Sequence, residues 1–376
     1  MKITLAFDSF KGSLTSQEVA EAFAAGLLTC VPDCEIQKVA IADGGEGTTE
    51  ALVEALNGMY AEVEVHNPIG NVITAQYGII DNGATAIIEM AQASGLTLLA
   101  PNERNPLVTS TYGTGEMILH ALNRGCRNFL IGIGGSATND GGMGMLSALG
   151  YRFLDKQGNQ LIGNGASLME IASIDDTRLH PAIREARFTV ACDVTNPLYG
   201  KNGAAYIFAP QKGADAIMVQ LLDNGLRNYA QVIEQYNGCN IANLPGAGAA
   251  GGLGGGFKAL LNARLVPGIK MILDAIKFDQ IIAGSSLVVT GEGCIDNQTL
   301  MGKTPGGVLQ AASQQGIPVA AIGGKVLLCD ELKNSNFAAI IQATPHDMPL
   351  EEAMLPEVAK ENVRQTAIRI AQLFKL

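Results

Sequence analysis

The sequence predicts an α/β protein built around parallel sheet. Short apolar runs recur along the 376-residue chain, each is followed by a loop rich in glycine and acidic residues, and each loop leads into a helical pattern. Strands that alternate with helices in this order form parallel sheets. The runs are Ile3–Phe7, Val39–Ala42, Phe129–Ile133, Phe188–Ala191, Leu287–Val289 and Val319–Ile322.

The first of these segments has the clearest boundaries. Ile3–Phe7 has the length of a buried strand, and Asp8-Ser-Phe-Lys-Gly-Ser-Leu14 follows it directly. Thr15 and Glu18 then have the spacing of a capping box, in which each residue bonds the backbone N–H of the other at the start of a helix. We therefore expect strand, polar loop and helix in this order.

The polar loop itself carries a carboxylate, an ammonium group and hydroxyls, on Asp8, Lys11, Ser9 and Ser13. Ligands of open α/β sheets lie at the carboxyl ends of strands, so these side chains indicate a site for a polar anionic ligand. A solvated loop with an ordinary surface lysine is the alternative interpretation.

The residue pattern changes between about Met59 and Met90, where apolar and polar residues alternate as they do in strands. The patterns cover Tyr60–Val65, Val72–Ile80 and Ala84–Met90, and the turn Asp81-Asn-Gly83 predicts an antiparallel hairpin.

This hairpin region and a long middle section separate the βα units at the two ends. The order predicts one domain formed by residues 1–58 and 284–376, with a second domain, residues 59–283, inserted into it. The cleft between two such domains is the default place for a small ligand.

The segment Leu244–Gly256 has the most biased composition of the chain. It reads either as a flexible glycine linker or as an anion cradle at the start of a helix, and the sequence leaves both open.

Charge and cysteine content exclude several classes of protein. The chain has 25 basic and 36 acidic residues, a net charge of −11, and no lysine or arginine run, which argues against nucleic-acid and anionic-membrane partners. The 7 cysteines are scattered without a CxxC pair, so neither a disulfide framework nor a zinc site is indicated. We expect a cytoplasmic protein without a signal peptide or membrane span.

Gly132-Ile-Gly134-Gly-Ser-Ala137 matches the dinucleotide-binding pattern GxGxxA after a strand, and Asp155 lies near the expected position of a ribose-binding acid. However, Asp140 would open the following helix, where its carboxylate would repel the pyrophosphate unless a metal ion intervened. Phosphate together with a metal ion is the better interpretation of this loop.

Gly302-Lys303-Thr304 is similar to the end of a P-loop. Position 297 is Asn where the motif requires Gly, and no apolar strand leads directly into the segment. Walker-type chemistry is therefore not predicted.

The remaining features together supply what phosphoryl transfer needs. That reaction uses cations and N–H donors around the transferred group, acids that hold Mg²⁺, and a carboxylate that orients the attacking hydroxyl. Each acid alone could equally be a helix cap or a turn former. The acids that follow predicted strands are Asp8, Asp43, Glu46, Asp140, Asp193, Glu292 and Asp296.

The same residues resemble the type-1 family of bacterial glycerate kinases over essentially the whole chain. The resemblance implies phosphorylation of D-glycerate by ATP with Mg²⁺, giving 2-phosphoglycerate. It also implies a flavodoxin-like domain and a second α/β domain with the site between them. The matching blocks are Asp8–Leu14, Asp43–Thr48, Arg104–Pro106, Gly113–Glu116, Gly134–Gly142, Asp193–Pro197, Gly291–Gly293 with Ile295 and Asp296, and Gly302 and Lys303 with Pro305.

Two positions depart from the family pattern. Phe7 stands where the family usually has Pro, and Cys294 stands where it usually has Arg. If that Arg contacts a phosphate or the substrate carboxylate, this protein either supplies the charge from another residue, such as Lys303, Lys325 or Arg104, or binds that ligand more weakly.

Roles follow for individual residues. We expect Lys11 to neutralise the transferring phosphate, and Asp193 or Asp296 to orient the substrate hydroxyl. The guanidinium of Arg104 suits bidentate recognition of the glycerate carboxylate. The predicted substrate-binding residues are Asp8, Ser9, Asp43, Glu46 and Arg104. The predicted nucleotide-binding residues are Gly134, Gly135, Ser136, Thr138 and Lys303. The predicted metal ligands are Asp140, Asp193 and Glu292.

Two rival functions remain open at this level. A nicotinamide-dependent oxidoreductase of a small hydroxy acid would explain the GxGxxA pattern, and a non-catalytic glycerate sensor would explain a binding cleft without chemistry. For the kinase we expect a monomer or a homodimer that binds neither nucleic acid nor membrane.

Overall fold

The computed structural model describes residues 1–41 and 47–376, which form two compact units. The terminal unit consists of Met1–Ala51 and Gly268–Leu376, and the inserted unit is Leu52–Pro267. The sequence pattern predicts these divisions after residues 58 and 283 instead. The difference at the second division arises because two helices that precede residue 283 pack with the terminal unit.

The strands are short and distributed over both units. In chain order they are β1 (Lys2–Phe7), β2 (Glu35–Ala40), β3 (Met59–His66), β4 (Val72–Ile80), β5 (Thr85–Glu89), β6 (Asn128–Gly132), β7 (Arg152–Leu154), β8 (Ser173–Asp175), β9 (Arg187–Ala191), β10 (Arg264–Val266), β11 (Leu287–Ile295), β12 (Val319–Val326) and β13 (Ala339–Gln342).

None of the helices in the described ranges is both long and apolar enough to cross a membrane. The helices are α1 (Ser16–Cys30), α2 (Thr48–Ala55), α3 (Ala91–Ser94), α4 (Tyr112–Asn123), α5 (Met143–Ala148), α6 (Ala204–Phe208), α7 (Ala216–Asn237), α8 (Ala249–Leu261), α9 (Gly268–Ala275), α10 (Phe278–Ile282), α11 (Thr304–Gln314), α12 (Asp330–Lys333), α13 (Leu350–Ala353) and α14 (Pro356–Phe374).

The described part of the terminal unit contains a sheet of five parallel strands in the order β2-β1-β11-β12-β13. Counted within the unit, this is the order 2-1-3-4-5 of flavodoxin-like folds. The predicted parallel sheet that joins the two ends of the chain is thereby confirmed. Its strand order reverses between β1 and β11.

Strands β11 and β12 extend further than the sequence predicts. The apolar runs end at Val289 and Ile322, yet the strands continue to Ile295 and Val326. The sequence predicts these ends as loops because glycines and charged residues interrupt the apolar runs. Backbone pairing holds them as strands instead, with Glu292 opposite Gly323.

Helices α1 and α14 contribute buried side chains to the core of this unit. The rings of Phe7 and Phe23 lie 5.5 Å apart, and Val363 and Ile370 of α14 are buried in the same cluster. The predicted capping box of α1 is confirmed, because the Glu18 N–H donates to the hydroxyl of Thr15 at 3.2 Å. The cap fixes the point where the polar loop after β1 ends and α1 begins.

The inserted unit has a mixed sheet in the order β10-β9-β6-β5-β4-β3. Strands β3, β4 and β5 pair antiparallel, which confirms the hairpin predicted from Asp81-Asn-Gly83, and β5, β6, β9 and β10 pair in parallel. Phe129 of β6 and Phe188 of β9 are register partners, and their rings stack 4.8 Å apart. The glycine-rich loop that follows β6 therefore leaves a well-packed strand.

The linker interpretation of Leu244–Gly256 is wrong. Most of this segment is buried, and it leads into α8, whose Leu253 and Phe257 lie in the core of the inserted unit. Glycine is required here by close packing: a Cβ at Gly251 would collide with the carbonyl of Thr138. The high glycine content, which resembles that of a linker, arises because the surrounding backbone leaves no room for side chains.

Candidate active site

Two neighbouring strands of the terminal unit bring polar residues to the same edge of its sheet. Strand β1 ends at Phe7, which pairs with Gly291 of β11. The N–H of Asp8 donates to the carbonyl of Gly291 at 3.0 Å, so Asp8 lies beside Glu292, the next residue of β11. In a sheet of this strand order, ligands bind at the reversal point between these two strands.

A cavity of about 770 Å³ opens at this edge, and all of its lining residues belong to the terminal unit. A pocket of this size accommodates a ligand considerably larger than a three-carbon acid. The structure brings residues from both ends of the chain together on its wall. The predicted site residues that line it are Asp8, Ser9, Lys11, Glu292, Asp296 and Lys303.

Asp8 and Glu292 are largely buried carboxylates, each with 8% of its surface exposed. Asp8 accepts hydrogen bonds from the Ser9 N–H at 2.6 Å and from the Thr304 hydroxyl at 3.2 Å. Glu292 accepts a hydrogen bond from the Thr299 hydroxyl at 2.7 Å. These bonds hold both carboxylates at the cavity wall.

The environment of Glu292 shifts the pKa of its carboxyl group above the ordinary value. Burial raises the pKa of Glu292, and the negative charge of Asp8 adds to that shift. The Thr299 hydrogen bond and the positive charge of Lys303 act in the opposite direction on this pKa. The Asp8 charge thus repels a charged Glu292, and Lys303 offsets part of this repulsion.

Lysines from separate segments supply positive charge to the same cavity. Lys11 comes from the loop after β1, Lys303 precedes α11, and Lys325 lies in β12. The Nζ of Lys303 is 3.5 Å from Oε2 of Glu292. Lys325 stands opposite Cys294 in the β11–β12 register, so an ammonium group lies next to the position where the family pattern has Arg.

Asp296 shapes the turn that follows β11. Its Oδ1 accepts a hydrogen bond from the N–H of Gln298 at 2.9 Å, and its own N–H donates to the hydroxyl of Thr299 at 3.0 Å. The same turn therefore brings the Thr299 hydroxyl to Glu292. Asp296 is half-buried, and its carboxylate remains on the cavity wall.

The glycine-rich loop after β6 belongs to the inserted unit. Gly134 and Gly135 are exposed, whereas Ser136 and Thr138 are buried. The buried ammonium group of Lys212 donates to Oγ of Ser136 at 3.0 Å and to the carbonyl oxygen of Thr138 at 2.6 Å. Of the predicted nucleotide-binding residues in this loop, the two glycines are the ones that reach solvent.

Asp140 is fully buried, and both of its carboxylate oxygens accept hydrogen bonds. Oδ2 accepts from the N–H and the hydroxyl of Thr111, at 2.8 and 2.7 Å, and from the N–H of Gly144 at 3.1 Å. Oδ1 accepts from the N–H of Gly142 at 3.1 Å. Asp140 thus fastens the loop to the start of α5, and we do not carry its predicted metal ligation forward.

The dinucleotide interpretation of Gly132–Ala137 lacks its structural context. Helix α5 begins at Met143, well past the glycines that should open it. Asp155 closes a local turn by accepting hydrogen bonds from the N–H groups of Gln157 and Asn159, both at 2.8 Å. Neither the helix start nor the acid has the arrangement that binds a pyrophosphate and a ribose.

The other predicted residues lie elsewhere. Arg104 is half-buried in the inserted unit, and its Nε has no hydrogen-bond partner among the described residues. Asp193 is exposed, shortly after the end of β9. Asp43 and Glu46 lie outside the described residues.

In the part of the chain that the structure describes, no three His, Cys, Asp or Glu side chains are grouped as a ready metal site. Mg²⁺ at phosphoryl-transfer sites is bound by one or two carboxylates together with substrate phosphates. Asp8 and Glu292, two neighbouring carboxylates on one cavity, fit this smaller requirement.

Comparison with known proteins gives a consistent result. The model of the glycerate kinase family matches residues 3–375. The chain belongs to the glycerate kinase family. It is 47% identical over 326 residues to the glycerate 2-kinase of Escherichia coli K12, covering 87% of this chain and 86% of that protein. It is 45% identical over 377 residues to the glycerate kinase of Bacillus subtilis 168, covering 100% and 98%.

A solved structure described as glycerate kinase 2 from Salmonella typhimurium LT2 superimposes on this chain with a TM-score of 0.88. The two chains are 44% identical, and the match covers 100% of this chain and 98% of that one. The family resemblance inferred from the motifs is confirmed over essentially the whole chain.

Several residues that organise these sites were not predicted from the sequence. Thr299 and Thr111 hold Glu292 and Asp140, and Lys212 holds the glycine-rich loop. Thr299 follows Glu292 by seven residues, and a threonine shortly after an acidic residue at a strand end is a weak indication of a hydrogen bond between the two. Nothing in Pro210-Gln-Lys-Gly213 marks Lys212 as buried, because lysines are nearly always exposed.

Proposed function

We propose that this protein transfers the γ-phosphoryl group of ATP to the 2-hydroxyl of D-glycerate, giving 2-phosphoglycerate. The observation that carries the proposal is the cavity of the terminal unit, where lysines and two buried carboxylates from both ends of a whole-length glycerate kinase sequence line one pocket. Phosphoryl transfer depends on positioning and charge stabilisation, and needs no protein nucleophile.

Lys11, Lys303 and Lys325 are the groups that stabilise negative charge in this proposal. As the phosphoryl group moves, charge spreads over its equatorial oxygens, and ammonium groups near them lower the barrier. Lys303 carries a counter-charge, Glu292, within 3.5 Å. This ion pair supports the proposed role because it positions the ammonium group of Lys303 on the cavity wall, where a phosphate could bind.

Mg²⁺ is part of the proposed reaction, and Asp8 and Glu292 are the residues that would hold it. When bound, the ion neutralises charge on the phosphate oxygens of the nucleotide. The repulsion between the Asp8 and Glu292 carboxylates supports this assignment, because a cation between them removes it. Asp193, also predicted as a metal ligand, lies in the inserted unit and stays a prediction.

A carboxylate must accept or orient the proton of the attacking hydroxyl. Asp296 and Asp193 are both candidates from the sequence, and we favour Asp296 because it lines the cavity with the lysines.

Arg104 remains the proposed partner of the glycerate carboxylate, since its buried Nε has no partner among the described residues. Ser9, Asp43 and Glu46 remain proposed substrate contacts.

For the glycine-rich loop we retain a phosphate contact through the backbone of Gly134 and Gly135, which are exposed. Ser136 and Thr138 support the loop through Lys212 in this proposal and do not contact the nucleotide. We further propose a cytoplasmic enzyme that is a monomer or a homodimer and that binds neither nucleic acid nor membrane.

The test is to incubate the purified protein with ATP, Mg²⁺ and D-glycerate and to identify the product by phosphorus NMR. The proposal predicts 2-phosphoglycerate and no product from L-glycerate. A 3-phosphoglycerate signal would keep the kinase and overturn the position. If NADH binding or hydride transfer occurred and no phosphorylated product formed, the oxidoreductase would replace it, and glycerate binding without any turnover would indicate a sensor.

A further inference from the structure

Two chemically different sets of residues line the cavity of the terminal unit, and we call them its charged half and its apolar half. One half carries the lysines and carboxylates described above. The other half is apolar and is lined by Phe10, Leu327, Met348, Leu350, Met354 and Val363.

The apolar half continues directly from the charged half. The methyl group of Met354 packs against Gly12, in the loop that carries Lys11, closely enough that a Cβ on Gly12 would lie 2.9 Å from it. The N–H of Leu327 donates to the carbonyl of Ile295 at 2.8 Å, which fixes Leu327 beside the end of β11. A ligand held by the lysines can therefore extend along this wall without leaving the pocket.

Two large hydrophobic residues of the apolar wall are exposed. Leu327 is 49% exposed and Leu350 is 73% exposed. Asn362 donates to the sulfur of Met348 at 3.5 Å, and Gln342 joins the N–H of Val326 to the carbonyl of Thr344. These polar contacts hold the wall in place, while Leu327 and Leu350 remain open to a ligand.

A polyphosphate attached to a flat ring with apolar faces matches this division into halves, whereas a three-carbon acid needs only the charged half. Polar groups for the edge of such a ring are present on the same wall, in His346 and Thr344. Binding sites for nucleotide-sized ligands combine apolar lining with a few polar groups in this way.

The glycine-rich loop of the inserted unit offers no comparable surface. Its exposed members are Gly134 and Gly135, and the Ser136 hydroxyl is already bonded to Lys212. Glycine backbone can contact a phosphate but provides no side chain against which a base can pack.

We propose that the apolar half of this cavity binds the adenosine part of the nucleotide, with its phosphates directed to Lys11, Lys303 and Lys325. The proposal rests on the proposed use of ATP by this protein. It assigns nucleotide recognition to side chains of the terminal unit, in addition to any backbone contact from Gly134 and Gly135.

Neighbouring leucines provide a matched test in the full-length protein. Leu327 lines the cavity, whereas Leu328, which is 56% exposed, does not. Leu350 and Leu355, 73% and 55% exposed, form a second pair of the same kind. Replacing each by Glu adds the same charge to an exposed position, so the members of each pair differ mainly in whether the carboxylate enters the pocket.

The measurement is the dissociation constant of ADP, obtained by calorimetry without any turnover, together with the KM for D-glycerate. We expect Leu327→Glu and Leu350→Glu to weaken ADP binding at least tenfold, and Leu328→Glu and Leu355→Glu to leave it unchanged. The affinity for pyrophosphate should change much less than that for ADP in the lining variants, and the KM for glycerate should stay constant.

Equal ADP affinity within each pair would overturn the proposal, and so would a lining variant that raised the KM for glycerate and left ADP binding unchanged. Equal losses for ADP and pyrophosphate would also overturn it, because the added charge would then act on the phosphates alone. If the wild-type protein bound ADP and yet failed to phosphorylate glycerate, selective loss of ADP binding in the lining variants would support the nucleotide site and contradict the proposed reaction.

Discussion

Lys11 is exposed on the wall of the cavity and comes from the loop that directly follows β1. Replacing Lys11 by Ala removes an ammonium group that the proposal places against the transferring phosphate. We expect kcat for glycerate phosphorylation to fall by roughly a hundredfold or more, since one charge-stabilising contact of the transition state contributes on the order of 3 kcal/mol. Steady-state kinetics with saturating ATP and glycerate measure this fall.

Lys38 provides the control for this variant. It is an exposed lysine of the same unit, on β2, and it does not line the cavity. Lys38→Ala should keep the wild-type rate. Similar rates in folded Lys11→Ala and Lys38→Ala proteins would remove Lys11 from the mechanism.

Lys212 makes stability depend on pH in a direction that can be worked out. Burial lowers its pKa to about 7, although the charge of Asp140 acts against the shift. In the unfolded chain this lysine titrates near 10.5. Between these values the unfolded chain binds a proton that the folded chain does not, so the free energy of unfolding rises with pH across this window. Below pH 7 both states are protonated, and this contribution is constant.

Urea unfolding of the wild type and of Lys212→Met from about pH 6.5 to about pH 9.5 tests this expectation. The range begins just below the pKa of Lys212 in the folded protein and ends below its pKa in the unfolded chain. Groups common to both proteins cancel in the difference between their free energies of unfolding. We expect the wild type to gain stability relative to the variant as pH rises above 7. A difference that stayed flat over the range would show that Lys212 remains charged in the folded protein.

At the level of elements, helix α8 depends on the space around its first turn. Gly251 has a φ of +68° and no room for a Cβ beside Thr138, whereas Gly238, which ends α7 with a φ of +77°, faces open space. Gly238→Ala should cost only the backbone strain of a left-handed residue, about 1–2 kcal/mol. Gly251→Ala should cost several times more, because the loop before Asp140 must also move.

The two glycine variants are compared by urea unfolding at one pH. We expect the free energy of unfolding to be highest for the wild type and lower for Gly238→Ala. Gly251→Ala should be much less stable than Gly238→Ala, or unfolded. Equal losses would mean that the inserted unit can relax around Gly251 and that its packing against Thr138 is loose.

The sequence predicts an element well when the pattern of its own side chains marks it. The apolar run at Ile3–Phe7 and the spacing of Thr15 and Glu18 reflect local physics, and β1 and the cap of α1 appear where these patterns put them. The ends of β11 and β12 depend on pairing with strands distant in sequence, and their glycines resemble loop residues. Helix α8 was missed as a definite element for the same reason, since burial and not composition explains its glycines.

At the scale of the whole molecule, strand order assembles the site. Because β1 and β11 are neighbours, Asp8 from one end of the chain meets Glu292, Asp296 and Lys303 from the other. The sequence allowed Asp8, Glu292 and Asp296 to be singled out because each lies just beyond an apolar run, and Lys303 because its segment is similar to the end of a P-loop. It could not show that Asp140 is enclosed by its own hydrogen bonds or that Lys212 is buried, because both facts depend on packing between distant segments.

The central claim is that the cavity of the terminal unit is where phosphoryl transfer takes place, and turnover of Glu292→Gln tests it most directly. The substitution keeps an oxygen that can accept the Thr299 hydrogen bond and removes the charge beside Asp8. The account predicts that kcat falls by at least about a hundredfold in a folded protein, whereas Glu21→Gln on the exposed face of α1 keeps the wild-type rate. Wild-type turnover by Glu292→Gln would contradict the account and move the chemistry away from this cavity.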